Sequence, residues 1–144
     1  MPYTHQLAVI AYVIRDDKFL LLKRNNEPKV WGPPGGRLAT DENPNEGILR
    51  EIREETGLDV EVIGTLDVWY GTYNGSILTS IDYIAKYQAG EISLSDEHSE
   101  YRWSTIEDLR NGNPLLGETK TSFLLKDFEK AWTLYQKLSM KPYK

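Results

Sequence analysis

Glu51, Glu54 and Glu55 stand three and four residues apart in a stretch that reads as a helix, so their carboxylates fall on one arc of its surface. Like charges at that spacing repel, by roughly 0.2–0.5 kcal/mol per i,i+4 pair. One reading is a solvated acidic face softened by Arg50 and Arg53. The other is a set of hard oxygen donors of the kind that Mg²⁺ or Mn²⁺ prefers when it bridges carboxylates to phosphate. A second acidic segment, Asp96 to Glu100, encloses His98, whose ring titrates near neutrality but is more often structural or solvated in a loop. Lys23 and Arg24 offer charge for phosphate or base contacts, or form an ordinary basic strand end. Trp31 can stack on a base or anchor a core.

The elements that must position these groups carry their own signals. Asn43 is an N-cap, Pro44 suits the first helical position and Gly57 suits the C-terminal cap, which predicts a helix from Pro44 to Thr56. Before it, Trp31-Gly32-Pro33-Pro34-Gly35-Gly36 forces a change of chain direction, because prolines fix φ and glycines open conformations closed to other residues.

From Gly36 to Leu58 the chain resembles the Nudix box, G-x5-E-x7-R-E-U-x-E-E-x-G-U, with U a bulky aliphatic residue. Gly36, Glu42, Arg50, Glu51, Ile52, Glu54, Glu55, Gly57 and Leu58 meet every fixed position. The resemblance implies an α/β fold, a Nudix-type α/β/α sandwich with a central mixed β-sheet, and metal-dependent hydrolysis of a nucleoside diphosphate linked to another group. It makes Glu54 and Glu55 the principal metal ligands, Glu51 a ligand or the group that orients water, and the Gly35 carbonyl a further ligand. Arg50 orients the glutamates, and Glu42 takes a structural part near the helix start. The phrase Glu97-His98-Ser99-Glu100-Tyr101-Arg102-Trp103 resembles a segment of several Nudix hydrolases in which a glutamate reaches the box helix and binds metal or acts as base. Glu97 is the first match and Glu100 the second, so the general base is Glu51, Glu97 or Glu100. The implied cofactor is Mg²⁺, with Mn²⁺ as substitute.

Tyr73 near a hairpin tip, with the same phrase, resembles dinucleoside polyphosphate hydrolases; a nucleoside triphosphate is an equal candidate substrate. Lys23, Arg24, Trp31 and Tyr73 are the candidate substrate contacts. The alternatives are an ADP-sugar pyrophosphatase and a non-catalytic nucleotide-binding regulator on the same fold.

The rest of the chain supplies a scaffold. Its 144 residues read as a single domain, 1–144. A net charge of −5 and a pI near 5.1 argue against general nucleic-acid binding. No cysteine is present, so neither disulfides nor cysteine–zinc sites arise. Met1 to His5 lacks a signal-peptide pattern and no apolar run reaches membrane-spanning length, which predicts a cytoplasmic protein without a membrane partner. Leu7–Ile14 and Phe19–Leu22 predict strands joined at Asp16-Asp17. Val60–Ile63 and Leu66–Tyr70 predict strand segments broken near Gly64, and Asn74-Gly75 predicts a tight hairpin into Ser76–Tyr87. In that last strand Ile77, Thr79, Ile81, Tyr83 and Ala85 alternate against more polar neighbours. Ile92–Leu94 predicts a short extended piece, and Ser104 with Glu107 a capping box. Leu124 through Leu138 recurs at helical spacing, giving a closing amphipathic helix whose exposed part offers a homodimer surface.

Overall fold

An apolar run with no polar face must be covered on both sides, and that places the first strand mid-sheet. In the computed structural model, which describes residues 5–73, 75–117 and 123–139, strand β1 is Gln6–Arg15. Val9, Ala11 and Val13 face one core, while Ile10, Tyr12 and Ile14 face a second. Asp16 and Asp17 turn the chain with φ of 51° and 61°, left-handed values that aspartate tolerates better than most residues. The chain then returns as β2 (Lys18–Arg24).

Short strands β3 (Trp31–Gly32) and β4 (Gly35–Arg37) lead into helix α1 (Pro44–Thr56). Strands β5 (Asp59–Tyr73), β6 (Ser76–Ala89) and β7 (His98–Ser104) follow, then helices α2 (Ile106–Arg110) and α3 (Leu125–Ser139). The sheet runs β3-β2-β1-β6-β5, with β4 also on β1 and β7 also on β2. The β1–β6 pair is parallel and the other pairs are antiparallel, so the sheet is mixed as expected.

Helix α1 covers one face. Ile48 and Ile52 are fully buried there against Val9, Ala11 and Leu20, and each stabilises the docked helix by ~1.5–3 kcal/mol. Helices α2 and α3 cover the other face, where Phe128 meets Tyr12 and Phe19 edge-on at 5.0 and 5.3 Å between ring centroids. Among the described residues no helix is long and apolar enough to cross a membrane.

Four local expectations change. The predicted break near Gly64 is absent: β5 runs through it, and register shifts at Val62/Gly64 and Thr65/Asp67 absorb the irregularity as bulges. Ile92–Leu94 makes no strand ladder; Ile92 and Leu94 pack instead against the α1-side core. The capping box is Thr105 with Asp108, one residue later than predicted, because Ser104 is the buried last residue of β7. The acidic segment is loop only to Glu97, since His98 to Glu100 already belong to β7. The predicted turn residue Asn74 lies outside the described residues; beside it Gly75 has φ 77° and Tyr73 pairs with Ser76.

Candidate active site

The site begins with the two ends of α1. Asn43 caps its start, the side chain accepting from Asn45 N at 2.9 Å, and Gly57 ends it in the left-handed conformation with φ 76°. Fixed between these caps, the helix turns Glu51 and Glu55 toward the β4 segment. A Cβ at Gly36 would stand 2.3 Å from Glu51 Oε2, so only glycine lets this carboxylate lie against the strand. The Gly35 N–H donates to Glu55 Oε2 at 3.1 Å.

Arg50 organises the carboxylates on the outer side. Its Nε and Nη2 donate to Glu42 at 2.7 and 2.8 Å, and its Nη1 lies 2.9 Å from Glu51 and 3.0 Å from Glu54. Glu42 also accepts from Ala39 N, and the Arg50 guanidinium holds its carboxyl down at about 2. Glu51 moves the other way, pushed up by burial against the opposing pull of Arg50.

Glu55 has no such counter-ion. It is 4% exposed, and among the described residues no lysine or arginine pairs with it. Burial pushes its carboxyl up to about 8; the Gly35 N–H opposes, while Glu51, Glu97 and Glu54 add to the rise.

Glu97 arrives from a distant part of the sequence by backbone tethering. Ser93 N donates to Thr56 O and Ser95 N to Glu55 O, which fastens the segment after β6 along the end of α1. On its other side, Asn25 N donates to Glu97 O at 2.9 Å and Asn25 Nδ2 to Asp96 O at 2.5 Å. One donor atom each from Glu55, Glu97 and His98 then lies within 4.8 Å of the other two. The Nδ1 of His98 is buried with no hydrogen-bond partner among the described residues, and burial lowers the ring below its ordinary pKa. A neutral imidazole nitrogen beside two carboxylates suits a divalent cation, and the crowded charge around Glu55 asks for one. The donor set therefore fits a metal.

This cluster opens onto a cleft of about 1030 Å³ that reaches from Glu55, Glu97 and His98 across the sheet to Ser80 and Asp82. The NUDIX domain model matches residues 4–125 of the chain. The chain belongs to the Nudix family. A MutT-like protein of Streptomyces ambofaciens is 33% identical over 75% of this chain and 69% of its own. The asymmetrical bis(5'-nucleosyl)-tetraphosphatase of Mus musculus is 32% identical over 63% of this chain and 66% of its own. The chain thus spans about two thirds of the length of these relatives. In fold it is similar to a crystal structure of UDP-X diphosphatase, with a TM-score of 0.77 at 24% identity over 95% of this chain and 66% of that one. As a Nudix hydrolase it falls in the class acting on phosphoric anhydride bonds, a class that generally uses divalent metal ions and small nucleotide substrates.

The Nudix fold brings together some of the residues expected from sequence and separates others. Glu51, Glu55 and Glu97 converge with the Gly35–Gly36 segment, while the Glu54 side chain is 61% exposed at the rim and tied to Arg50. Arg24 and Tyr73 line the cleft, and Arg24 Nη1 donates to the Tyr73 hydroxyl. Lys23 points to the opposite face, as strand alternation requires, and pairs with Glu100 at 3.5 Å. Trp31 packs against the α3-side core, with the Arg102 guanidinium 5.3 Å above its ring, and does not line the cleft. Two further groups enter the site. His98, read from sequence as a titratable ring more often structural or solvated in a loop, stands in the cluster with Glu55 and Glu97. Asp82 was hidden by the alternation of β6, whose Ser80, Asp82 and Ile84 side read as the more polar one but is buried, with Ile84 in the α3-side core.

Proposed function

We propose that this chain is a divalent-metal-dependent pyrophosphohydrolase acting on a nucleoside diphosphate-linked substrate, a dinucleoside polyphosphate or a nucleoside triphosphate, in the cytoplasm. The buried Glu55 carboxyl carries this reading: it faces a nucleotide-sized cleft among Glu51, Glu54 and Glu97, with no cationic side chain among the described residues to balance it. Such an arrangement destabilises the empty protein and is relieved by a cation. Glu55, Glu97 and His98 would hold the metal with Glu51 and Glu54, and the Gly35 carbonyl is a further donor by family resemblance. When bound, Mg²⁺, or Mn²⁺ in its place, would neutralise phosphate oxygens and lower the pKa of a coordinated water.

The residues of the chain supply position and proton transfer. Arg50 holds Glu51 and Glu54 in fixed rotamers. Glu97, exposed at the cleft mouth but pinned through its backbone, takes the proton of the attacking water, with Glu51 as the other candidate base. Arg24 and Tyr73 flank the polyphosphate path, and they favour an extended dinucleoside polyphosphate, the substrate type named for the mouse relative. The test is a panel of dinucleoside polyphosphates, nucleoside triphosphates and ADP-sugars incubated with Mg²⁺ or Mn²⁺, with products identified by mass. Anhydride cleavage that stops in chelator is expected. Binding without turnover across the panel would refute the enzyme and support a regulator.

A further inference from the structure

Hydrolysis as described gives no task to the inner end of the cleft. Ser80 and Asp82 line it, 7% and 9% exposed, on the face of β6 that next presents the fully buried Ile84. The Ser80 hydroxyl donates to Asp82 Oδ1 at 2.8 Å, and no other hydrogen bond reaches this carboxyl among the described residues. Directly across the ladder stands Asp67, and like charges in that position destabilise a sheet. Lys130 takes Asp67 at 2.8 Å, and among the described residues no lysine or arginine pairs with Asp82. Asp127 of α3 and Tyr12 of β1 complete an acid-rich wall. Burial pushes Asp82 up to about 7, with Asp67 and Asp127 adding and Lys130 opposing. Packing alone would be better served by an apolar residue like Ile84.

The surroundings state what size of group fits. Ile10, Leu78, Trp69 and Phe123 give apolar and aromatic sides. In the sheet, Asp82 neighbours Ile10 on β1, and Ile10 neighbours Gly35 on β4. Two strand spacings, about 10 Å, therefore separate Asp82 from the residue whose N–H holds Glu55. That is the scale of a nucleoside lying between its phosphates and its base edge.

We propose that Asp82, oriented by Ser80, is a specificity-determining residue that selects a nucleobase with two adjacent N–H donors, the N1–H and 2-amino edge of guanine. A carboxylate accepts two parallel N–H bonds, and Ser80 occupies only one lone pair of Oδ1. Asp67 and Asp127 reinforce the preference, because they attract donor hydrogens and repel ring lone pairs. Adenine offers one donor beside an acceptor, and hypoxanthine lacks the 2-amino group. The inference rests on the hydrolase reading only in taking a nucleotide as the occupant.

The experiment measures equilibrium binding of GDP, IDP and ADP to the full chain in Mg²⁺, for the wild type, Asp82→Asn and Ser80→Ala, with folding checked by circular dichroism. The wild type should prefer GDP over IDP by roughly tenfold to a hundredfold, the range for a good bidentate pair. Asp82→Asn should collapse that ratio and Ser80→Ala should reduce it less. Equal affinities for the three nucleotides, no binding of any, or a ratio that survives in Asp82→Asn overturns the proposal. Hydrolysis of the matching triphosphates reports separately on the enzyme. Guanine preference without turnover would remove catalysis and keep recognition, whereas turnover without base preference would do the reverse.

Discussion

Replacing Asp82 by Asn should make the ligand-free protein more stable, and increasingly so as pH rises. The amide keeps the shape and still accepts from the Ser80 hydroxyl, but carries no charge into the buried space. Asp82 titrates near 7 in the folded chain, against an ordinary value of 3.8. Between those values the native state holds a proton that the unfolded state has released, so the wild type loses stability as pH rises through that window. At about 1.36 kcal/mol per pH unit, the wild type should trail the variant by about 2 kcal/mol at pH 5 and by about 4 kcal/mol from pH 7 upward. The larger figure corresponds to a rise of about 10 °C in Tm. Urea denaturation of both proteins at pH 5, 6, 7 and 8 without metal or nucleotide is the assay. Glu55, which also titrates at an elevated pH, is present in both proteins and cancels in the difference. A stability difference that stays constant over this range, or a wild type that is the more stable above pH 7, would refute the account of Asp82 as a buried carboxyl that pays for its charge.

Glu55→Gln should abolish turnover while the chain stays folded, since the amide fills the same buried space beside the Gly35 N–H but cannot replace a charged oxygen donor; full activity in this variant or in chelator contradicts the metal assignment. Glu97→Gln should lower kcat by ~10²–10⁴-fold, the range for a general base, whereas Glu100→Gln should change it little because Glu100 pairs with Lys23 away from the cleft; steady-state kinetics in saturating Mg²⁺ would reverse the choice if Glu100 dominates. Gly36→Ala places a methyl 2.3 Å from Glu51 Oε2, and the displaced carboxylate should cost on the order of 10²-fold in kcat; unchanged kinetics would show that Glu51 does not need its place against β4.

What could be read from the sequence was whatever a short stretch of chain decides for itself. The box helix is bounded by local chemistry, a side chain at Asn43, a fixed φ at Pro44 and a left-handed Gly57, so its limits agree with Pro44 to Thr56 in the folded chain. The apolar run Leu7–Ile14 within β1 likewise announced two covered faces. The spacing of Glu51, Glu54 and Glu55 placed them on one arc, but not how each is balanced. Glu54 is balanced at the rim by Arg50, and Glu55 is buried with no counter-ion among the described residues because β4 and the loop before β7 close over it.

Everything that depends on a partner remote in sequence was decided by tertiary structure. Bulges let β6 carry β5 through Gly64, where local signals predicted a break. Alternation along β6 marked one face as polar, and α3, more than forty residues later, turned part of that face into the inner end of the cleft, leaving Asp82 buried. The pairing of β7 with β2 sent Lys23 outward to Glu100 and Arg24 inward to Tyr73. Local sequence fixes backbone conformation through φ, caps and periodicity, whereas burial and charge balance are properties of surfaces that meet only when the chain closes.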